Sequence, residues 1–456
     1  MLETLNSILL KISGFVWGWP LLILLLGTHI FFTIRLGFIQ KYILKGIKLS
    51  ISKGEEGKGD ISQFGALVTA LAATVGTGNI VGVATAISIG GPGALFWMWL
   101  TGVFGIATKF AEALVSIKFR EIDKNNNIVG GPMLVLERGL NLKWLAILFS
   151  VFTIIASFGI GNMVQSNSIA NLLEKQYEIS PSITGLLISL FTALVILGGI
   201  HSISKVSQIL VPFMAVLYIS SSLVILILTY DKILDTINLI VTSAFTGQGA
   251  IGGFVGSSIK ETIRAGISRG LFSNESGLGS APIAAAAAKT KNAVRQALVS
   301  STGTFWDTVI ICALTGIVIL NTQSWNLGLK GAEIAKQAFS ILGNLGTLIL
   351  SLSLLFFVYS TILGWYYYGE KAWEYLMGIK GIITFKVLWV IAVFIGSVTT
   401  LDVVWNFADI ANGLMAIPNL ISLFLLHNLI KKETEKYIHN LEEEDKEILF
   451  LEKFNK

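Results

Sequence analysis

Two short runs place polar and glycine residues inside otherwise apolar stretches. The first is Thr74-Val75-Gly76-Thr77-Gly78-Asn79-Ile80-Val81-Gly82. The second is Leu271-Phe272-Ser273-Asn274-Glu275-Ser276-Gly277-Leu278-Gly279-Ser280-Ala281-Pro282. Glycine costs about 1 kcal/mol in a helix interior and proline about 3 kcal/mol, so both runs predict helices unwound part-way along. The freed backbone has its own chemistry. Half-helix N-termini present N–H groups to an anion, and half-helix C-termini present carbonyls to a cation. Thr77, Gly78 and Asn79 line the first break, where glycine lets a ligand approach the backbone closely. Ser273, Asn274 and Gly277 face them from the second. The plainer reading, that glycines only let helices pack closely, suits one such run better than two at matching places.

Other residue types add to this. Asp307, in Thr304-Phe305-Trp306-Asp307-Thr308, is an acid within an apolar run. Such groups are costly and mark ion or proton sites by default. It can coordinate sodium, carry a coupling proton, or pair with a base such as Arg269. Ser360 and Thr361 are adjacent hydroxyls after the apolar stretch Leu354 to Tyr359. They offer oxygens to a sodium ion without a net negative charge; alternatively they bond their own helix. Gln165 is a lone amide that needs a partner, either ligand or a second helix. Phe272 and Trp365 are candidate pocket walls. Lys109 and Glu112, three positions apart, share a helix face and read as a structural or inner-gate pair. Arg269 is the natural partner of Asp402 or Asp409. Enzyme signals are poor. His29, His201, His427 and His439 show no metal spacing, and no P-loop Lys-Ser/Thr pair is present. The single cysteine, Cys312, leaves no disulfide framework.

The elements that position these residues follow from composition. The chain has 456 residues, 53% apolar and only 13% charged. That excludes an ordinary soluble enzyme and a long disordered chain, and no nucleic-acid module accompanies the net charge of +5. Eleven hydrophobic segments are predicted, at 18–38, 62–89, 92–117, 144–172, 182–200, 207–229, 254–288, 294–320, 343–370, 384–400 and 403–429. Alternating them puts 24 of the 33 Lys and Arg on one side and five on the other. The basic side is cytoplasmic by this bias, with the N-terminus outside and the C-terminus inside. Leaving out the first segment, the other ten form two sets of five, and a break opens each set. That is the hydropathy pattern of an inverted-repeat secondary transporter. The all-α membrane unit 1–430 thus divides into an extra N-terminal helix with its basic loop (1–60), a first repeat (61–229), an outer connecting helix (230–253) and a second repeat (254–430). A second amphipathic segment, 330–342, also falls on the outer face, and a charged cytoplasmic tail occupies 431–456.

At these residues the chain resembles the alanine or glycine:cation symporters, also called sodium:alanine symporters. The likeness rests on Gly76-Thr77-Gly78-Asn79-Ile80, Gly91-Pro92-Gly93-Ala94, Lys109-Phe110-Ala111-Glu112, Gly130-Gly131-Pro132-Met133, Ser360-Thr361-Ile362-Leu363-Gly364-Trp365 and, above all, the run from Gly270 to Ala284. The resemblance implies a LeuT-type fold with one extra N-terminal helix in the plasma membrane. It implies sodium- or proton-driven uptake of alanine or glycine, bound between the two breaks by Thr77, Gly78, Asn79, Gln165, Phe272, Ser273, Asn274, Gly277 and Trp365. It places a sodium ion among the carbonyls of Ala72, Val75 and Phe357 and the hydroxyls of Ser360 and Thr361. Asp307 is then a possible second ion or proton site.

Overall fold

The computed structural model describes residues 2–52, 57–123, 127–246, 258–329, 331–399 and 402–439, almost all of them helical. Helices stand at each predicted segment. In chain order they are α1 (Trp19–Arg35), α2 (Gln63–Thr74 with Gly78–Gly90), α3 (Ala94–Lys118), α4 (Lys143–Tyr177), α5 (Pro181–Leu197) and α6 (Gly199–Leu228). Then come α7 (Ile259–Asn274 with Ala281–Ala286), α8 (Ala293–Asn321), α9 (Gly343–Met377), α10 (Ile382–Val398) and α11 (Asp402–Leu425). Among the described residues eight helices, or nine with the bent α2 pair, are long and apolar enough to cross a membrane, α1 only when taken with the helical residues before it as Thr4–Arg35. The 17-residue α5 and the two pieces of α7 fall short of that length. The side chain of Asp402, residues 247–253 and the tail beyond 439 lie outside the described residues.

The packing repeats with an offset of five helices. α3 packs on α7 as α8 packs on α2, and α4 packs on α11 as α9 packs on α6. Counterparts also meet: α3 with α8, α4 with α9 and α5 with α10. Polarity is reversed relative to a soluble protein. Leu186, Leu190, Phe191 and Leu194 of α5 are exposed, whereas Lys109, Glu112, Glu275 and Asp307 are buried. That surface suits hydrocarbon, and the interior holds the charges.

A helix not anticipated from the sequence, Leu2–Val16, precedes α1. It is held by polar contacts that hydropathy does not reveal. Asn6 accepts from Asn406 at 2.6 Å, and Ser13 donates to Asp409 at 2.7 Å. Its apolar residues Leu5, Ile8, Ile12 and Phe15 remain exposed.

Irregular backbone crosses the Lys/Arg-rich face. Lys58 bridges Thr290 and Ile61 bridges Ala288. Arg120 reaches across them, donating to the carbonyls of Ala286 (2.8 Å), Ala288 (2.7 Å), Lys58 (2.7 Å) and Thr290 (3.1 Å). A two-stranded hairpin, β1 (Glu121–Ile122) and β2 (Ile128–Val129), lies beside this clamp. It is tied down where Ile128 N–H donates to Asp60. On the opposite face, the helix Ala332–Phe339 lies beside α9.

Candidate functional site

α2 unwinds after Thr74 and resumes at Gly78, bent by 53°. In a continuous helix Gly76 N–H would donate to the Ala72 carbonyl; here it donates to Asn79 Oδ1 at 2.8 Å. Asn79 N–H likewise goes to Gly76 O at 3.3 Å, three residues back, instead of to Val75 O. The carbonyls of Ala72 and Val75 thus lose their usual donors. α9 lies directly against this break. A Cβ on Gly76 would sit 2.6 Å from Thr361 Oγ1, and one on Gly364 would sit 2.6 Å from the Ala73 backbone nitrogen. Ser360 and Thr361 both donate to Phe357 O at 2.9 Å, so they do bond their own helix. Each hydroxyl oxygen keeps lone pairs after donating, so that bond leaves cation binding open. All five residues of the expected sodium set are buried.

The second break starts at Glu275, whose φ of 55° ends the first piece of α7. Glycine usually occupies such a left-handed position, because a Cβ costs about 1–2 kcal/mol there. Glu275 Oε1 accepts from Trp365 Nε1 at 3.1 Å, and Oε2 accepts from Ser280 Oγ. Glu112 and Asn419 pin the far end of the break. Glu112 Oε1 accepts from Gly279 N–H (3.0 Å) and Asn419 Nδ2 (2.7 Å), and Asn419 also donates to Gly277 O at 2.9 Å.

α8 joins the two breaks. Its Phe305–Cys312 stretch is a π-helix, a local rewinding common at functional sites. Asp307, fully buried, accepts from Asn79 Nδ2 (2.7 Å), Ser273 Oγ (2.9 Å) and Thr308 Oγ1 (2.7 Å).

Between the breaks lies a cavity of about 20 Å³, near the size of one water. It is lined by Ala73, Thr74, Gly76, Thr77, Gly78, Ile160, Gln165, Phe272, Glu275, Thr361 and Trp365. Thr77 also lines a vestibule of about 350 Å³ on the Lys/Arg-poor face, with Val81, Lys175, Gln176, Lys336 and Val358. The structure therefore brings Thr77, Gly78, Gln165, Phe272 and Trp365 together at one cavity. Asn79, Ser273, Asn274 and Gly277 are not in its lining. The Asn79 amide and the Ser273 hydroxyl turn to Asp307. Asn274 accepts from Ser276 N–H, and Gly277 lies near Leu25, Leu420 and His29.

The sodium:alanine symporter family matches this chain over residues 2–450. The chain belongs to that family. As a sodium:alanine symporter family member it is a multi-pass plasma-membrane transporter coupled to sodium. It is 50% identical over 442 residues to the sodium/alanine symporter AgcS of Methanococcus maripaludis, covering 94% of this chain and 97% of that protein. It is 36% identical over 443 residues to the probable sodium/glutamine symporter GlnT of Bacillus subtilis, covering 96% and 91%. The fold is shared with MhsT, solved in complex with L-phenylalanine, at a TM-score of 0.57 and 15% identity over 84% of this chain and 99% of that one.

Several charged pairs expected in this family member form differently. Among the described residues Lys109 and Glu112 make no ion pair within 4.0 Å, and Lys109 Nζ has no hydrogen-bond partner. Glu112 is instead taken by Gly279 and Asn419. Arg269 makes no ion pair within 4.0 Å with Asp307 or Asp409, although the charges of Arg269 and Asp409 lie near enough to interact. It lies 5.9 Å from the Phe272 ring centre, while Asp409 accepts from Ser13. Sequence reasoning missed Glu275 as a cavity residue. The signal was present: an acid inside a predicted span carries the same default meaning that singled out Asp307.

Proposed function

We propose that the protein is a symporter that imports alanine or glycine with sodium by alternating access. The observation that carries this reading is the cavity between two helix breaks, whose Thr77 also lines the vestibule on the Lys/Arg-poor face, while Arg120 ties the ends of both broken helices together on the basic face. The amino acid's carboxylate would meet the N–H groups where α2 resumes, beside Thr77 and Gly78. Its side chain would lie among Gln165, Phe272 and Trp365, whose bulk favours small residues. Sodium would take the carbonyls of Ala72, Val75 and Phe357 with the hydroxyls of Ser360 and Thr361. Asn79, Ser273, Asn274 and Gly277 would act by holding the breaks, and Asp307 is the place for a second cation or a coupling proton. The offset-five packing supports two repeats, 61–229 and 254–430, with eleven crossings. The charge bias supports an outer N-terminus and an inner C-terminus.

Purified protein in proteoliposomes tests this. Labelled alanine or glycine should accumulate saturably under an inward sodium gradient and not under potassium. Accumulation driven equally by a pH gradient without sodium overturns the coupling. Indifference to both amino acids overturns the substrate.

A further inference from the structure

We propose that Glu275 receives the substrate's ammonium group, a role that rests on the amino-acid reading above. A zwitterion moved into a water-poor cavity needs a partner at both ends, because a buried charge without one is strongly penalised. The α2 break supplies donors for the carboxylate. Donors do nothing for an ammonium, which has three N–H groups and no acceptor.

The cavity lining contains one ionisable side chain, Glu275, among two glycines, one alanine, three threonines, an isoleucine, a glutamine, a phenylalanine and a tryptophan. Its carboxylate accepts two hydrogen bonds, from Trp365 and Ser280. A carboxylate has about four lone-pair sites, so about two remain for a ligand. The other buried carboxylates nearby stand outside the cavity, although Glu112 Oε2 has no hydrogen-bond partner. Asp307 already accepts three bonds, and Glu112 Oε1 holds Gly279 and Asn419; neither lines the cavity.

The backbone points the same way. Glu275 stands in a left-handed conformation where glycine would be easier. Glu275 lines the cavity where the first half of α7 ends, opposite the α2 break. A Cβ on Gly78 would meet Ser273 Cα at 3.3 Å, which shows how closely the two breaks approach. The carboxylate donors of one break and the acid of the other therefore face one cavity from two sides, and it must widen to admit an α-amino acid.

The competing account is that Glu275 only latches α9 to α7 through Trp365. Binding of labelled alanine to the full-length protein at saturating sodium, with lactate as competitor, separates the two. Lactate is alanine with a hydroxyl in place of the ammonium. In the wild type it should compete at least about a hundredfold more weakly than alanine, given the strength of hydrogen bonds between charged groups. Glu275→Gln keeps an acceptor for Trp365 and removes the charge. It should weaken alanine by about tenfold or more while leaving lactate unchanged. Trp365→Phe keeps the ring and removes the latch, and should retain the preference for alanine over lactate. Equal loss of alanine and lactate in Glu275→Gln, or an unchanged alanine affinity, overturns the proposal. If that variant does not fold, equal competition by lactate and alanine in the wild type overturns it alone. A wild type that binds neither alanine nor glycine removes the substrate reading and this one with it.

Discussion

Asn79 Nδ2 donates to Asp307 Oδ1 at 2.7 Å, joining the first helix break to α8 across 228 positions of sequence. The same asparagine accepts from Gly76 N–H, so one side chain both caps the break and ties it to its neighbour. Ser273 reaches the same carboxylate from the second break. Asp307 is thus the common anchor of the two unwound segments. Asn79→Asp would set two carboxylates at hydrogen-bond distance. It should destabilise the protein by about 3 kcal/mol or more, read as a lowered unfolding temperature in detergent. The exchanged pair Asn79→Asp/Asp307→Asn restores one donor facing one acceptor and should recover part of the loss. Failure of the pair to improve on Asn79→Asp would show that this bond is not what couples them.

A sodium ion at the α2–α9 junction makes a second expectation. Thr361→Val keeps the shape and removes an oxygen. It should raise the sodium concentration for half-maximal alanine uptake by about tenfold, the scale of one charge-assisted contact. Gly76→Ala should mimic it with α9 left unsubstituted, because its Cβ would lie 2.6 Å from Thr361 Oγ1 and displace that hydroxyl. Alanine affinity at saturating sodium should change far less in both. An unchanged sodium dependence in Thr361→Val and in Ser360→Ala would falsify this site and turn attention to Asp307.

The breaks were legible in the sequence because glycine and proline act locally. A helix that contains Gly76, Gly78 and Gly82 announces its weakness without any tertiary information. The freed carbonyls of Ala72 and Val75 follow from that local fact. Side-chain direction did not follow. Asn79 belongs to the break by position, yet its amide points to α8, since only the folded packing sets the azimuth of a helix. Arg269 and Asp409 come near enough for their charges to interact yet make no contact within 4.0 Å, since shared depth in a membrane does not set how two side chains meet. Leu2–Val16 escaped because its attachment to α11 is polar, through Ser13 and Asn6, and hydropathy averages such contacts away. Arg120 gave no signal at all. One arginine in a basic loop looks like topology bias until its four carbonyl partners are seen.

Those partners give a third expectation. Arg120 binds Lys58 in the segment before α2 and Ala286, Ala288 and Thr290 at the end of α7. These are the basic-face ends of the two broken helices, so opening that face requires the clamp to release. Arg120→Ala should shift the protein toward a state open on that face, by roughly tenfold or more given charged donors to several carbonyls. Amide exchange over 57–61 and 286–290 should accelerate with little change in α5 and α10. Sodium and alanine together should not restore wild-type protection. Unaltered exchange in both segments would mean the clamp is ornamental.

The last expectation concerns selection by size, where one substitution behind a ring and another that removes the ring should act in opposite directions. Trp365 lines the cavity, is fixed by Glu275 through its indole N–H, and stacks edge-on to Tyr368 at 5.5 Å. Behind it, α4 turns through the π-helix Gly159–Met163. A Cβ on Gly161 would lie 2.3 Å from Trp365 Cβ and 2.4 Å from Cγ, closer than real atoms pack. Gly161→Ala must therefore push the indole away from α4, and the cavity, about 20 Å³, has no slack to absorb it. Glycine and alanine differ by one methyl group, worth about 10- to 200-fold in a tight apolar pocket. Gly161→Ala should weaken alanine more than glycine and move the preference toward glycine. Trp365→Ala removes the wall and should admit larger neutral amino acids such as valine, with some loss of affinity for glycine. Competition of a series from glycine to leucine against labelled alanine reads both shifts. A size profile that moves the same way in the two variants, or in neither, would show that Trp365 does not set the boundary of the site.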